Sequence, residues 1–195
     1  MPQFGLRGIK VAKYVNTNGV ISYTDRQEVG KAMQANFELR RAEGRLYAED
    51  GLAEYMTSAT GGTVSLGVAY IKDAAQKLMF GMTDKTRSVT PTGGSATSVT
   101  GLALSAKSEG VYVGLGFYCP AMKDGEKVFW CCRIAKALFG PPSMSLQTKG
   151  ENIVFNTPTT NGEMLMDDSD NALLYESAYV DAEATAIAWV DAALT

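Results

Sequence analysis

The sequence predicts a mainly β protein, an antiparallel β-sandwich or barrel with one or two flanking α-helices. Apolar residues recur with period two along most of the chain. Turn-forming residues separate those runs. Only two stretches carry helical spacing. A length of 195 residues suits one domain spanning 1–195. A chain of that size buries roughly 70% of its unfolded surface and needs no disulfide staples.

Short runs at Ile9–Val15, Val20–Tyr23 and Ala32–Arg41 read as strands. From Thr63 to Ile71, Val64, Leu66, Val68 and Tyr70 share one face, opposite Thr63, Ser65, Gly67 and Ala69. Ile71–Phe80 reads as a helix, with Ala75, Leu78 and Met79 on one side and Gly81 at its C-cap. The polar, small-residue stretch Thr90–Ser98 reads as a mobile loop before a strand at Val99–Ser105. Val111, Val113, Leu115, Phe117 and Cys119 form one face of the next strand. Lys123-Asp124-Gly125-Glu126 then turns the chain into Lys127–Phe139. Both faces of that strand are apolar, which predicts cover on both sides. A further strand is expected at Asn152–Thr157. Asp181–Leu194 closes the chain as a helix capped by Asp181, its stripe Ile187, Val190 and Leu194 with Trp189 beside it. An acidic segment and helix, about 163–195, are expected to pack on the domain.

Composition removes several function classes. With no histidine, a Ser-His-Asp or Cys-His relay is excluded, and zinc would have only Cys and carboxylate ligands. A net charge of −3 argues against a protein whose main task is gripping nucleic-acid phosphates. No apolar run approaches the roughly 20 residues of a membrane helix. Met1–Gly8 lacks the basic-then-apolar order of a secretory leader, so a protein made in the cytoplasm is expected. Cys119, Cys131 and Cys132 read as free thiols, since adjacent strand residues point to opposite faces. Residues 1–47 carry eight basic side chains against four acids, whereas 161–195 carry eight acids and no Lys or Arg. Such a molecule can attract a copy of itself, or simply bear a solvated acidic tail.

No motif points to catalysis. Gly61-Gly62, Gly93-Gly94 and Gly114-Leu115-Gly116 do not stand before a helix as phosphate loops do. Cys131-Cys132 reads as buried structural thiols. Asp167-Asp168-Ser169-Asp170 has Ala172 and Ala178 where a calcium loop needs Gly and Glu, so it reads as a solvated loop. Glu49, Asp50 and Glu54 lack the pocket that would set their pKa values apart. No enzyme activity, metal or cofactor is expected.

Those same acids open a resemblance. Arg45-Leu46-Tyr47-Ala48-Glu49-Asp50-Gly51-Leu52-Ala53-Glu54-Tyr55, followed by Gly61-Gly62-Thr63-Val64-Ser65-Leu66-Gly67-Val68, resembles the major tail protein (tail tube protein) family of long-tailed, siphovirus-type bacteriophages. Val113-Gly114-Leu115-Gly116-Phe117, the turn through Asp124-Gly125, Phe139, the run Thr148–Thr159 and Ala184–Trp189 resemble the family in order and spacing. The likeness covers about residues 44–81, 110–162 and 180–194. Cys131-Cys132, Pro141-Pro142 and the stretch 90–98 depart from it.

The resemblance implies a tail-tube fold with a long hairpin loop, and copies assembled into stacked hexameric rings. Its implied partners are sister copies, a tape-measure protein, tail-tip and tail-terminator proteins, and DNA passing transiently through the lumen. It implies a place in the virion tail, with no membrane insertion. A broad channel needs many strands, more than one such chain supplies, so several chains must share the barrel. A conduit should not hold its cargo, so a neutral to acidic lumen is expected. The hairpin tip, with Glu49, Asp50, Gly51, Leu52, Glu54 and Tyr55, is the candidate ring-to-ring contact. Two alternatives remain at this point. One is a non-catalytic β-sandwich binding module, carbohydrate-binding or adhesin-like, stacking ligands on Tyr112 and Tyr118. The other is a related secretion-system tube protein.

Overall fold

Antiparallel pairing joins every pair of named strands in the computed structural model, which describes residues 2–146, 148 and 155–195. In chain order they are β1 (Arg7–Thr17), β2 (Val20–Glu28), β3 (Ala32–Ala48) and β4 (Gly51–Val68). After α1 (Asp73–Phe80) come β5 (Thr83–Val89), β6 (Thr97–Ala103), β7 (Val113–Lys123) and β8 (Glu126–Phe139). The chain ends with β9 (Thr159–Leu165), β10 (Tyr175–Val180) and α2 (Glu183–Ala193). Three tight hairpins place both central residues at positive φ, the signature of type I′ turns. They are Asn18-Gly19 (53° and 85°), Glu49-Asp50 (50° and 64°) and Asp124-Gly125 (51° and 87°).

The main sheet runs β2-β1-β7-β8-β9-β4-β3. Strand β8 splits it. One edge of β8 follows β7; its other edge pairs first with β10 at Phe129–Ile134 and then with β9 at Lys136–Phe139. The β9-β4-β3 lobe thereby returns over the β1-β7-β8 lobe. Ile9, Val11, Val113, Leu115 and Ile134 meet Val64, Leu66 and Val68 in one core, which Leu78, Met79 and Phe80 of α1 close.

The opposite face of β1-β7-β8 builds a second core under α2. Ala12, Tyr14, Tyr23, Tyr118, Phe129 and Cys131 receive Ala186, Val190 and Leu194 there. The expected cover on both faces of the Lys127–Phe139 run is found: Cys132 lies in the first core and Cys131 in the second. A Cβ at Gly116 would stand 2.8 Å from Val190 Cγ1. The Gly114-Leu115-Gly116 motif is therefore the seat of a helix. Arg133 grips the far end of α2 by donating from Nη1 to the Ala193 carbonyl at 3.0 Å, where a helix terminus favours a cation.

Several expectations change. Helix α1 begins at Asp73 rather than Ile71, and ends as expected at Gly81, φ 65°. A Cβ at Gly81 would also lie 2.3 Å from the Glu109 carbonyl oxygen. Ala182, not Asp181, stands at the N-cap of α2, and Ile187 is exposed while Ala186 is buried. The small Ala186 lets the helix approach until the Cys131 thiol donates to the Ala186 carbonyl at 3.9 Å. Thr97 and Ser98 are strand, so only the first part of the 90–98 stretch is a hairpin connection. Of the strand expected at Asn152–Thr157, residues 152–154 lie outside the described residues, and Phe155–Thr157 are irregular. Asp167 is buried rather than solvated: its Oδ1 accepts from Ser169 N, Ser169 Oγ and Leu173 N.

Candidate assembly surfaces

The β3–β4 hairpin leaves the body as a two-stranded ribbon. Every residue from Arg40 to Thr60 is exposed. Nine residues of β3 and ten of β4 make this arm about 30 Å long. Beyond Arg40 and Gly61 neither strand has a second neighbour among the described residues. An isolated two-stranded ribbon is marginally stable in water. This one nevertheless displays Leu46, Tyr47, Leu52, Tyr55 and Met56, each about half exposed or more.

The six residues expected at the tip divide between turn and strand. Glu49 and Asp50 are the central turn residues, and Gly51 already belongs to β4. Turn geometry, not the Asp-Gly pair, sets this: Ala48 pairs with Gly51. A register shift between Leu46 and Tyr47 leaves Ala53 unopposed. Leu52 and Tyr55 consequently share a face with Tyr47 and Arg45, and Glu54 lies on the other with Leu46. Arg45 is occupied locally: its guanidinium sits 5.7 Å from the Tyr55 ring centroid and bonds Glu43 at 3.0 Å. Among the described residues, no cation lies within ion-pair distance of Glu49, Asp50 or Glu54.

Below the ribbon, β3, β4 and β9 present a polar outer face in registered rows. One row is Asn36, Ser65 and Asn161; the next is Glu38, Thr63 and Glu163. These six side chains border a shallow hollow of about 670 Å³. Arg40, at the foot of the ribbon, is neutralised by Glu163 at 2.9 Å. Amide, hydroxyl and carboxylate groups line the hollow together with apolar surface from Phe37, Val64 and Leu138.

Of the second projecting hairpin, the strand expected at Val99–Ser105 is found as β6, shifted by two residues, whereas β5 escaped the sequence reading. Strands β5 and β6 pair only with each other, and no residue of Thr83–Val89 is buried. Lys85 and Arg87, two apart in a polar stretch, were the available signal.

The opposed charges of the two chain ends are spent within one molecule. Glu183 accepts from Arg7 at 2.6 Å and from the Tyr118 hydroxyl at 3.0 Å. Asp191 pairs with Lys10 and with Arg26. The contact with Arg7, then that with Tyr118, holds the Glu183 carboxyl below its ordinary value of 4.5. Asp168 is likewise held below 3.8, first by Lys136 and then by Tyr14. Part of the charge offered by the two ends is thus taken up by an internal clasp.

The remaining candidates close off. Tyr118 is buried, and burial pushes its hydroxyl up to about 12, so it offers no stacking surface. Tyr112 is partly exposed, but the Lys136 ammonium lies 4.9 Å from its ring centroid. Burial also pushes the Cys131 and Cys132 thiols up to about 11 and about 12, far from a reactive thiolate. Among the described residues no three Cys, Asp or Glu side chains converge on a metal-sized site. Among the described residues no helix is long and apolar enough to cross a membrane. Compared with protein families and with curated proteins, the chain has no matching family model and no significant curated match.

Proposed function

We propose that this chain is a structural subunit of a phage tail tube. Copies join edge to edge into hexameric rings, and the rings stack around a tape-measure protein into the conduit for DNA ejection. The ribbon carries this reading. A long arm with exposed Leu, Tyr and Met side chains has no reason to project from a solitary molecule. Strand β3, 17 residues long with the ribbon included, has a free outer edge among the described residues. Such an edge is an aggregation hazard unless a defined neighbour completes it. Head-to-tail pairing that closes by rotation satisfies the edge without leaving a growing fibre.

The polar face of β3-β4-β9 fits the inner wall of that tube. Glu38 opposes phosphate, and the charges of Arg40 and Glu163 offset each other. DNA therefore gains no counterion-release affinity there and is not held in transit. Tail-tip proteins would start the polymer and a terminator would end it, one meeting the exposed arms of a terminal ring and the other the opposite ring face.

Electron microscopy of negatively stained, concentrated protein, alone and with a tail-tip complex, tests the proposal. Rings or tubes in either sample are the expected result. Dispersed monomers in both would refute it.

A further inference from the structure

Lys85, Arg87, Val89, Val99 and Gly101 line a shallow groove of about 280 Å³ on one face of the β5–β6 hairpin. Cross-strand pairing accounts for the grouping. Lys85 stands opposite Gly101, Arg87 opposite Val99, and Val89 opposite Thr97. Gly101 keeps the groove open, since a Cβ there would meet nothing within 4 Å. The other face is self-satisfied: the Thr86 and Thr100 hydroxyls share a hydrogen bond of 2.8 Å. Residues 83–103 contain three charged side chains, Asp84, Lys85 and Arg87. Asp84 is bound to Lys77 at 2.8 Å, which leaves the hairpin with two cations. Neither cation has a carboxylate within ion-pair distance among the described residues.

The ribbon tip is the chemical complement of that groove. Residues 46–55 contain Glu49, Asp50 and Glu54 and no Lys or Arg. Leu52 and Tyr55 supply apolar surface next to the Glu49-Asp50 turn, on the face opposite Glu54, and the Arg45 guanidinium over Tyr55 is paired with Glu43. Both hairpins stand clear of the body, so each can enter a contact without unfolding anything else.

We propose that the acidic tip of the β3–β4 ribbon of one copy docks on the Lys85–Arg87 face of the β5–β6 hairpin of another copy. The contact rests on the tube reading and names the surface that receives the arm. Opposite charges flanking apolar side chains give it orientation and register, and like-charge juxtaposition rejects tip-on-tip encounters. A strand-shaped acidic segment fits the groove better than a phosphate polymer does, because two cations release too few counterions to hold DNA.

Carbodiimide cross-linking of assembled, mixed light and heavy-isotope protein tests the contact on the native chain. The expected product is a mixed-isotope peptide joining Lys85 to Glu49, Asp50 or Glu54. K85E/R87E should raise the concentration needed for assembly by about tenfold, and E49K/D50K/E54K should do the same. Mixing the two variants should restore growth, because the tip of each is then opposite in charge to the groove of the other, and combining all five reversals in one chain should do so too. Tubes that form without the cross-link, or that tolerate K85E/R87E unchanged, overturn the docking and leave the tube reading standing. A DNA mobility shift abolished by K85E/R87E, with no cross-link, also overturns it. Absence of rings and tubes from the unaltered protein, both alone and with a tail-tip complex, overturns both.

Discussion

Gly116 concentrates much of the fold into one missing methyl group. Its place opposite Val190 and Leu194 leaves no room for a Cβ. Gly116→Ala should therefore destabilise the protein by about 1–3 kcal/mol, measured by urea denaturation, by forcing α2 off its seat. An unchanged midpoint would contradict the packing described. Glu183 acts at the same seat through charge. Its pKa and that of Asp168 are lower folded than unfolded, so their stabilisation is complete above the ordinary values of 4.5 and 3.8. It is lost as pH falls through the depressed folded values. Between about pH 6 and about pH 2, the thermal midpoint of Glu183→Gln should fall less than that of the unaltered protein. Parallel profiles would show that the clasp carries no linkage. The sequence displayed both residues but not their roles. Gly116 reads equally well as a strand glycine, and Glu183 as an ordinary first-turn acid, until the helix is laid on the sheet.

At the scale of elements, the long ribbon is the part whose local stability and use diverge. It contributes no residue to either core. Replacing residues 43–57 by a short turn should leave the melting temperature within about 2 °C, because surface changes away from packing cost little. The same change should abolish assembly in sedimentation. A collapse of the monomer would mean that the ribbon supports the fold. Legibility followed burial across the other elements. β7 and β8 face a core on one or both sides, so Val113, Leu115, Phe117 and Ile134 announce them by alternation. β5 buries nothing, β9 buries only Thr160 and Met164, and β10 buries no residue, so no apolar rhythm marks them. β9 and β10 are paired by neighbours remote in sequence, whereas β5 pairs with β6, the next strand in the chain. The acidic tip was legible as a hairpin end, yet the turn falls one residue earlier than Asp50-Gly51 suggests. Ribbon pairing overrides the preference of that dipeptide.

Taken whole, the molecule presents sheet margins without partners, two bare hairpins and a polar wall low in free cations. The clasp of Arg7, Lys10 and Arg26 with Glu183 and Asp191 consumes much of the charge asymmetry that the linear sequence displays. The surfaces left for neighbours are therefore the hairpins and the edge of β3. Introducing Lys at Asn36, Ser65 and Asn161 should leave tubes intact but make them retain duplex DNA at low salt, read by co-sedimentation. Tubes that hold no more DNA than before would place this face away from the lumen. The most direct measurement is an electron cryomicroscopy map of the particles this protein forms at high concentration. The account predicts a ring of six copies in which β3 pairs with a neighbouring chain and Asn36, Ser65 and Glu163 face the central channel. A map in which the β3 edge stays bare, or that face points outward, would contradict it.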